Sequence, residues 1–113
     1  MRGRMMGWEY GIRTKEYNML PEIMQRLAAS LTYSRMYSLE QHTDGFNLLR
    51  DDASWPRALE VGLEEANGLD EIADGERYIY CLFHIWGEEG RVWRQQLEGV
   101  TNQYSGMFEW FEL

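Results

Sequence analysis

Nine consecutive residues without formal charge, Tyr78-Ile79-Tyr80-Cys81-Leu82-Phe83-His84-Ile85-Trp86, restrict the folding options of this chain more than any other stretch. They follow an acidic, glycine-containing segment and stop at Gly87. A short apolar run between turn signals reads as a strand buried on both faces, and as a helix it would lack a polar stripe. A membrane-spanning helix needs about 20 apolar residues, more than twice this length. The stretch is therefore expected to be the central strand of a sheet that is covered at least in part on both sides.

The rest of the chain supplies partners for that strand. Trp8, Tyr10 and Ile12 alternate with polar residues, the period of a strand with one buried face. Leu20, Ile23, Met24, Leu27 and Leu31 recur at helical spacing, with Asn18 as the expected cap and Pro21 and Glu22 in the first turn. Tyr33 to Glu40 alternates again, and Asp44-Gly45 marks a hairpin turn before the returning strand Phe46 to Arg50. Residues 56–66 admit two readings. Leu59, Leu63 and Ala66 fit a helix, whereas Leu59, Val61 and Leu63 alternate against Glu60, Gly62 and Glu64. Gly62 disfavours the helix by roughly 1 kcal/mol against Ala, which tilts the balance toward a strand with its charged side in water.

Glu65 to Glu76 is an acidic connection with Asn67-Gly68 and Asp74-Gly75, pinned by Leu69 and Ile72. Gly87 to Gly90 opens a second helix with Glu88 and Glu89 at its positive end, and Trp93, Leu97, Val100 and Tyr104 form one apolar stripe. Ser105-Gly106 ends it, and Met107 to Leu113 reads as the last strand. The expected fold is α+β: a mostly antiparallel sheet of five or six strands with two helices on one face, in the order β-α-β-β-(β)-β-α-β. This order resembles a ferredoxin-like arrangement enlarged by an extra hairpin. The resemblance concerns element order and implies no activity. Residues 1–6 are expected to form a flexible tail, with Met5 or Met6 as alternative starts, and residues 7–113 one domain.

At 113 residues and 44% hydrophobic content, one such domain has enough core to fold without staples. The single cysteine, Cys81, leaves no internal disulfide and no cysteine cluster for zinc. The first 17 residues lack the apolar segment of a signal peptide, so a cytoplasmic location is expected. The net charge of −8 is unevenly spread: residues 37–76 hold eleven acidic against two basic residues, a difference of −9. Such a field disfavours nucleic acid and anionic membranes and attracts a basic protein.

Groups that carry chemistry are scattered. Cys81 and His84 would point to opposite faces of a strand and cannot form one site. An inert buried thiol is the ordinary reading of Cys81, and a backbone-bonded imidazole that of His84. His42 and Asp44 lie in a turn, and no metal-ligand spacing is present. Gly87-Glu88-Glu89-Gly90 has the position of a phosphate loop, but its carboxylates would repel phosphate. No cofactor is implied.

Two functions from different classes follow. The favoured one is a non-enzymatic protein-binding domain, of the kind that covers a basic toxin as an immunity or antitoxin-like inhibitor. Its candidate contact residues are Asp44, Asp51, Asp52, Trp55, Glu64, Glu65, Asp70 and Glu71. The alternative is a small-ligand domain or minor enzyme with a pocket near His84, Trp86 and Glu88, in which His84 or Glu88 would serve as acid–base group. Homodimerisation through the sheet or an open edge strand is compatible with both.

Overall fold

A computed structural model describes residues 8–51, 56–85, 87–104 and 106–113. Trp8–Thr14 forms β1, Leu20–Ser30 α1, Tyr37–His42 β2 and Gly45–Arg50 β3. Arg57–Glu65 forms β4, Arg77–Phe83 β5, Gly87–Asn102 α2 and Phe108–Glu112 β6. All six strands join one sheet in the order β2-β3-β4-β5-β1-β6, and every pairing is antiparallel. The α+β class and the element order read from the sequence hold, and the ambiguous residues 57–65 are a strand.

Alternation sorts the strands into two faces. Tyr10 and Ile12 of β1, Phe46 and Leu48 of β3, Leu59 and Val61 of β4, and Ile79, Cys81 and Phe83 of β5 share one buried cluster. Both helices join it, through Leu20, Ile23 and Leu27 of α1 and Trp93, Leu97 and Val100 of α2. The two helices therefore cover the same face of the sheet. A second, smaller cluster lies on the opposite face, where Ala66, Leu69 and Ile72 of the β4–β5 connection pack on Tyr78, Phe111 and Leu113. The long acidic connection thus folds over one end of the sheet instead of extending from it.

Several local expectations need correction. Asn18 does not cap α1: a 3-10 turn, Tyr17–Met19, precedes the helix, and the cap position is Met19 with no side-chain bond. The second strand begins at Tyr37, not Tyr33. The Ser34 hydroxyl accepts from the Met36 amide at 3.3 Å and the Ser34 carbonyl from the Tyr37 amide at 3.1 Å, so a serine turn replaces the start of the strand. The central strand ends at Phe83. His84 still donates its amide to Ala58 at 2.8 Å, after which the chain leaves the sheet toward Gly87, whose φ of 76° only glycine adopts readily. Trp86 lies outside the described residues. The six strands fall within the five or six expected, and the β2–β3 hairpin lies at one edge of the sheet beyond β4.

Three glycines lie within strands on the helix-free face, and they differ in what they touch. A Cβ on Gly11 would lie 2.2 Å from Cζ of Phe111, whose ring fills that space. One on Gly45 would lie 2.0 Å from the Val61 carbonyl oxygen. One on Gly62 would meet only the Asp44 carbonyl oxygen, at 3.8 Å.

Candidate functional site

The helix-free face gathers polar residues in rows across the strands. Strand register places Glu40 beside Asn47, Asn47 beside Glu60, Glu60 beside Leu82 and Leu82 beside Glu9. The next row runs Gly45, Gly62, Tyr80, Gly11 and Phe111. A third sets Glu64 beside Tyr78, Tyr78 beside Arg13 and Arg13 beside Glu109. Carboxylates from β1, β2 and β4 therefore border a strip of β-sheet whose middle row joins three glycines to Tyr80 and Phe111.

Hydrogen bonds hold this arrangement. The Tyr80 hydroxyl donates to Glu9 at 2.5 Å, and His84 Nε2 shares a 2.7 Å contact with Glu60 Oε2. Asn47 donates to Glu40 at 3.0 Å. Arg57 approaches Glu60 at 3.7 Å and Arg13 approaches Glu109 at 3.5 Å, while Arg13 also donates to the Glu71 carbonyl at 3.0 Å. Burial pushes the Tyr80 phenol well above its usual range, and the bond to Glu9 and the charges of Glu9 and Glu60 push it further. Tyr78 is raised by burial and then by Glu64 and Glu9. The carboxylates thus act on both phenols in the same sense and make this strip electronegative.

Of the residues singled out from sequence, Glu64 stands on this face of β4 and is exposed. Asp70 and Glu71 sit in the connection that folds over its end, Glu65 closes β4, and all three are exposed. Asp44 is exposed in the β2–β3 turn, and its carbonyl accepts from the Leu63 amide at 3.0 Å. Asp51 is exposed just after β3, and Asp52 and Trp55 lie outside the described residues. His84 and Glu88 are not brought together. The imidazole engages the Glu60 carboxylate of β4. Glu88 pairs with Arg91 at 3.4 Å in the first turn of α2 and lines a cavity of about 320 Å³ with Tyr33, Glu89 and Trp93. Beside it Tyr37 donates to Glu89 at 2.7 Å, and burial together with that carboxylate raises the phenol to about 12. A groove of about 500 Å³ lies at the β1–β6 end between Arg13, Lys15, Glu16 and Glu109, and none of these candidates lines it, although Arg13 bonds the Glu71 carbonyl.

Cys81 lies on the helix-covered face, and complete burial pushes its thiol up to about 12 although Arg94 acts in the opposite sense. Its thiol is expected to resist a disulfide-exchange reagent in the folded protein and to react fully in denaturant. Rapid labelling without denaturant would show that the helices do not seal this face. Among the described residues no group of three or more His, Cys, Asp or Glu side chains is placed to hold a metal ion. Nor is any helix there long and apolar enough to cross a membrane.

Sequence reasoning missed Glu9, Glu40, Glu60 and Tyr80 as neighbours. The alternation of Glu60, Gly62 and Glu64 was visible, but the register that sets Tyr80 beside Gly62 was not. No family model, no curated protein and no solved structure matches this chain, so its functional reading rests on its own residues.

Proposed function

We propose that this chain is a non-enzymatic protein-binding domain that engages a basic protein through the helix-free face of its sheet. The observation that carries this reading is convergence. Glu9, Glu40, Glu60 and Glu64 come from three strands, yet they border one strip, and the connection bearing Asp70 and Glu71 folds over its end. A concentrated field of one sign speeds encounter with an oppositely charged partner and rejects like-charged ones. An immunity or antitoxin-like inhibitor of a basic enzyme is one role that needs such a face.

The element order supports a ferredoxin-like-related reading of the scaffold. β1 and β4 flank β5, the split arrangement of a βαβ unit, with the hairpin of β2 and β3 as an addition at one edge. That scaffold carries binding modules and enzymes alike, so the face and not the fold decides between them.

The test is fluorescence anisotropy with the full chain and a labelled peptide of alternating arginine and glycine. The expected result is saturable binding that weakens as salt rises, with no binding of the glutamate–glycine counterpart. Equal behaviour of the two peptides, or no binding at low salt, would remove the proposal.

A further inference from the structure

We infer that the helix-free face contains a side-chain-sized notch at Gly62 that accepts an arginine of the basic partner. This rests on the protein-binding reading above and names the chemistry its centre would recognise.

Tyr80 provides the starting point. Its two strand neighbours on this face are both glycines, Gly11 of β1 and Gly62 of β4. Over Gly11 the space is filled by the ring of Phe111. Over Gly62 no described side chain fills the equivalent space, and the neighbour on the far side, Gly45, contributes no side chain either. The chain thus fills the Cβ space over the glycine on one side of Tyr80 with its own ring and leaves that over the glycine on the other side open.

Nothing in the fold requires glycine at position 62. Its φ is not positive, and a Cβ there would make only an ordinary contact with the Asp44 carbonyl oxygen at 3.8 Å. Glycine inside a strand weakens it and commonly marks a place where another molecule approaches the backbone closely. Gly11 and Gly45 have internal reasons, the Phe111 ring and the Val61 carbonyl; Gly62 has none.

The rim supplies the chemistry. Glu60 and Glu64 stand two residues to either side of Gly62 on the same face of β4, about 13 Å apart along the strand. Glu60 is engaged with His84 and Arg57, whereas Glu64 has no ion-pair or hydrogen-bond partner among the described residues. The Tyr80 ring is held from its hydroxyl by Glu9. A bare floor, a fixed aromatic wall and an open carboxylate match a planar, permanently charged guanidinium, which stacks on aromatic faces and donates in a fork to carboxylates. An ammonium has neither the plane nor the fork, so arginine is preferred to lysine at equal charge.

The test compares arginine–glycine and lysine–glycine repeat peptides on the full chain and on Gly62→Val. Valine favours strands and its Cβ meets only an ordinary contact here, so the variant is expected to melt no lower than the parent. The parent is expected to bind the arginine peptide several-fold more tightly than the lysine peptide. Gly62→Val is expected to weaken the arginine peptide about tenfold and to erase that preference. Amide shifts in a labelled chain are expected to centre on Gly62, Tyr80 and Glu64. Glu64→Gln, a substitution of an exposed side chain, provides a second variant and is expected to lose most of the arginine preference. Salt-sensitive binding that neither variant alters, or shifts centred on the residue 66–76 connection, would overturn the notch and leave the acidic-face reading standing. Absence of binding by both peptides would overturn both.

Discussion

Trp93→Ala is expected to lower the unfolding free energy by about 4 kcal/mol, the loss typical of a large buried aromatic. Trp93 is 2% exposed, and it is the largest side chain in the core between the helices and the sheet. Its ring meets Tyr37 edge-on at 5.2 Å, tying α2 to the outermost strand β2. Its Nε1 donates to the Thr32 carbonyl at 3.1 Å, which anchors the segment that leaves α1. Truncation removes the transfer free energy of the indole, opens a cavity the rigid sheet cannot collapse, and strips the Thr32 carbonyl of a donor. Because a domain of this size is stable by only about 5–15 kcal/mol, such a loss takes away most of the stability at the lower end of that range. Urea unfolding followed by tyrosine fluorescence and circular dichroism measures the loss. A change below about 1 kcal/mol would mean that the indole does not join the two layers.

Gly45→Ala is expected to cost about 3 kcal/mol, and Gly62→Ala to be neutral or slightly stabilising, although the two residues face each other across β3 and β4. The added methyl at Gly45 would sit 2.0 Å from the Val61 carbonyl oxygen and 2.7 Å from the Gly62 Cα. Both are backbone atoms inside the sheet, so relief requires the strands to separate or the hairpin to change register. At Gly62 the same methyl meets only ordinary contact and reduces the freedom of the unfolded chain. Gly11→Ala falls between, because the obstacle there is the Phe111 ring at the end of an edge-strand side chain, which can swing. Paired urea curves give the order directly. Equal effects at positions 45 and 62 would contradict the register of β3 on β4.

The acidic middle of the chain shows how charge and fold were separable in the sequence. Its excess of carboxylates is visible in composition, but composition does not say whether they surround a surface or disperse over it. In the folded chain the alternation of β4 turns Leu59, Val61 and Leu63 toward the helices and Glu60 and Glu64 the other way. Pairing of β4 with β5 then sets those carboxylates beside Leu82 and Tyr78. Leu69 and Ile72 were expected to pin the long connection, and they do so by packing over the helix-free face.

What the sequence by itself determined is local and periodic. Alternation over residues 8–14, helical stripes in 20–30 and 87–102, and the uncharged run after Arg77 set the elements and the α+β class, because these patterns depend on neighbours a few residues apart. Only the tertiary structure decided that β1 lies between β5 and β6, that His84 meets Glu60, and that Gly62 pairs with Tyr80. Those facts depend on which strands pair and in what register. Pairing is selected by burial of the whole core face at once, since a slip of one residue would turn every apolar side chain of a strand into water.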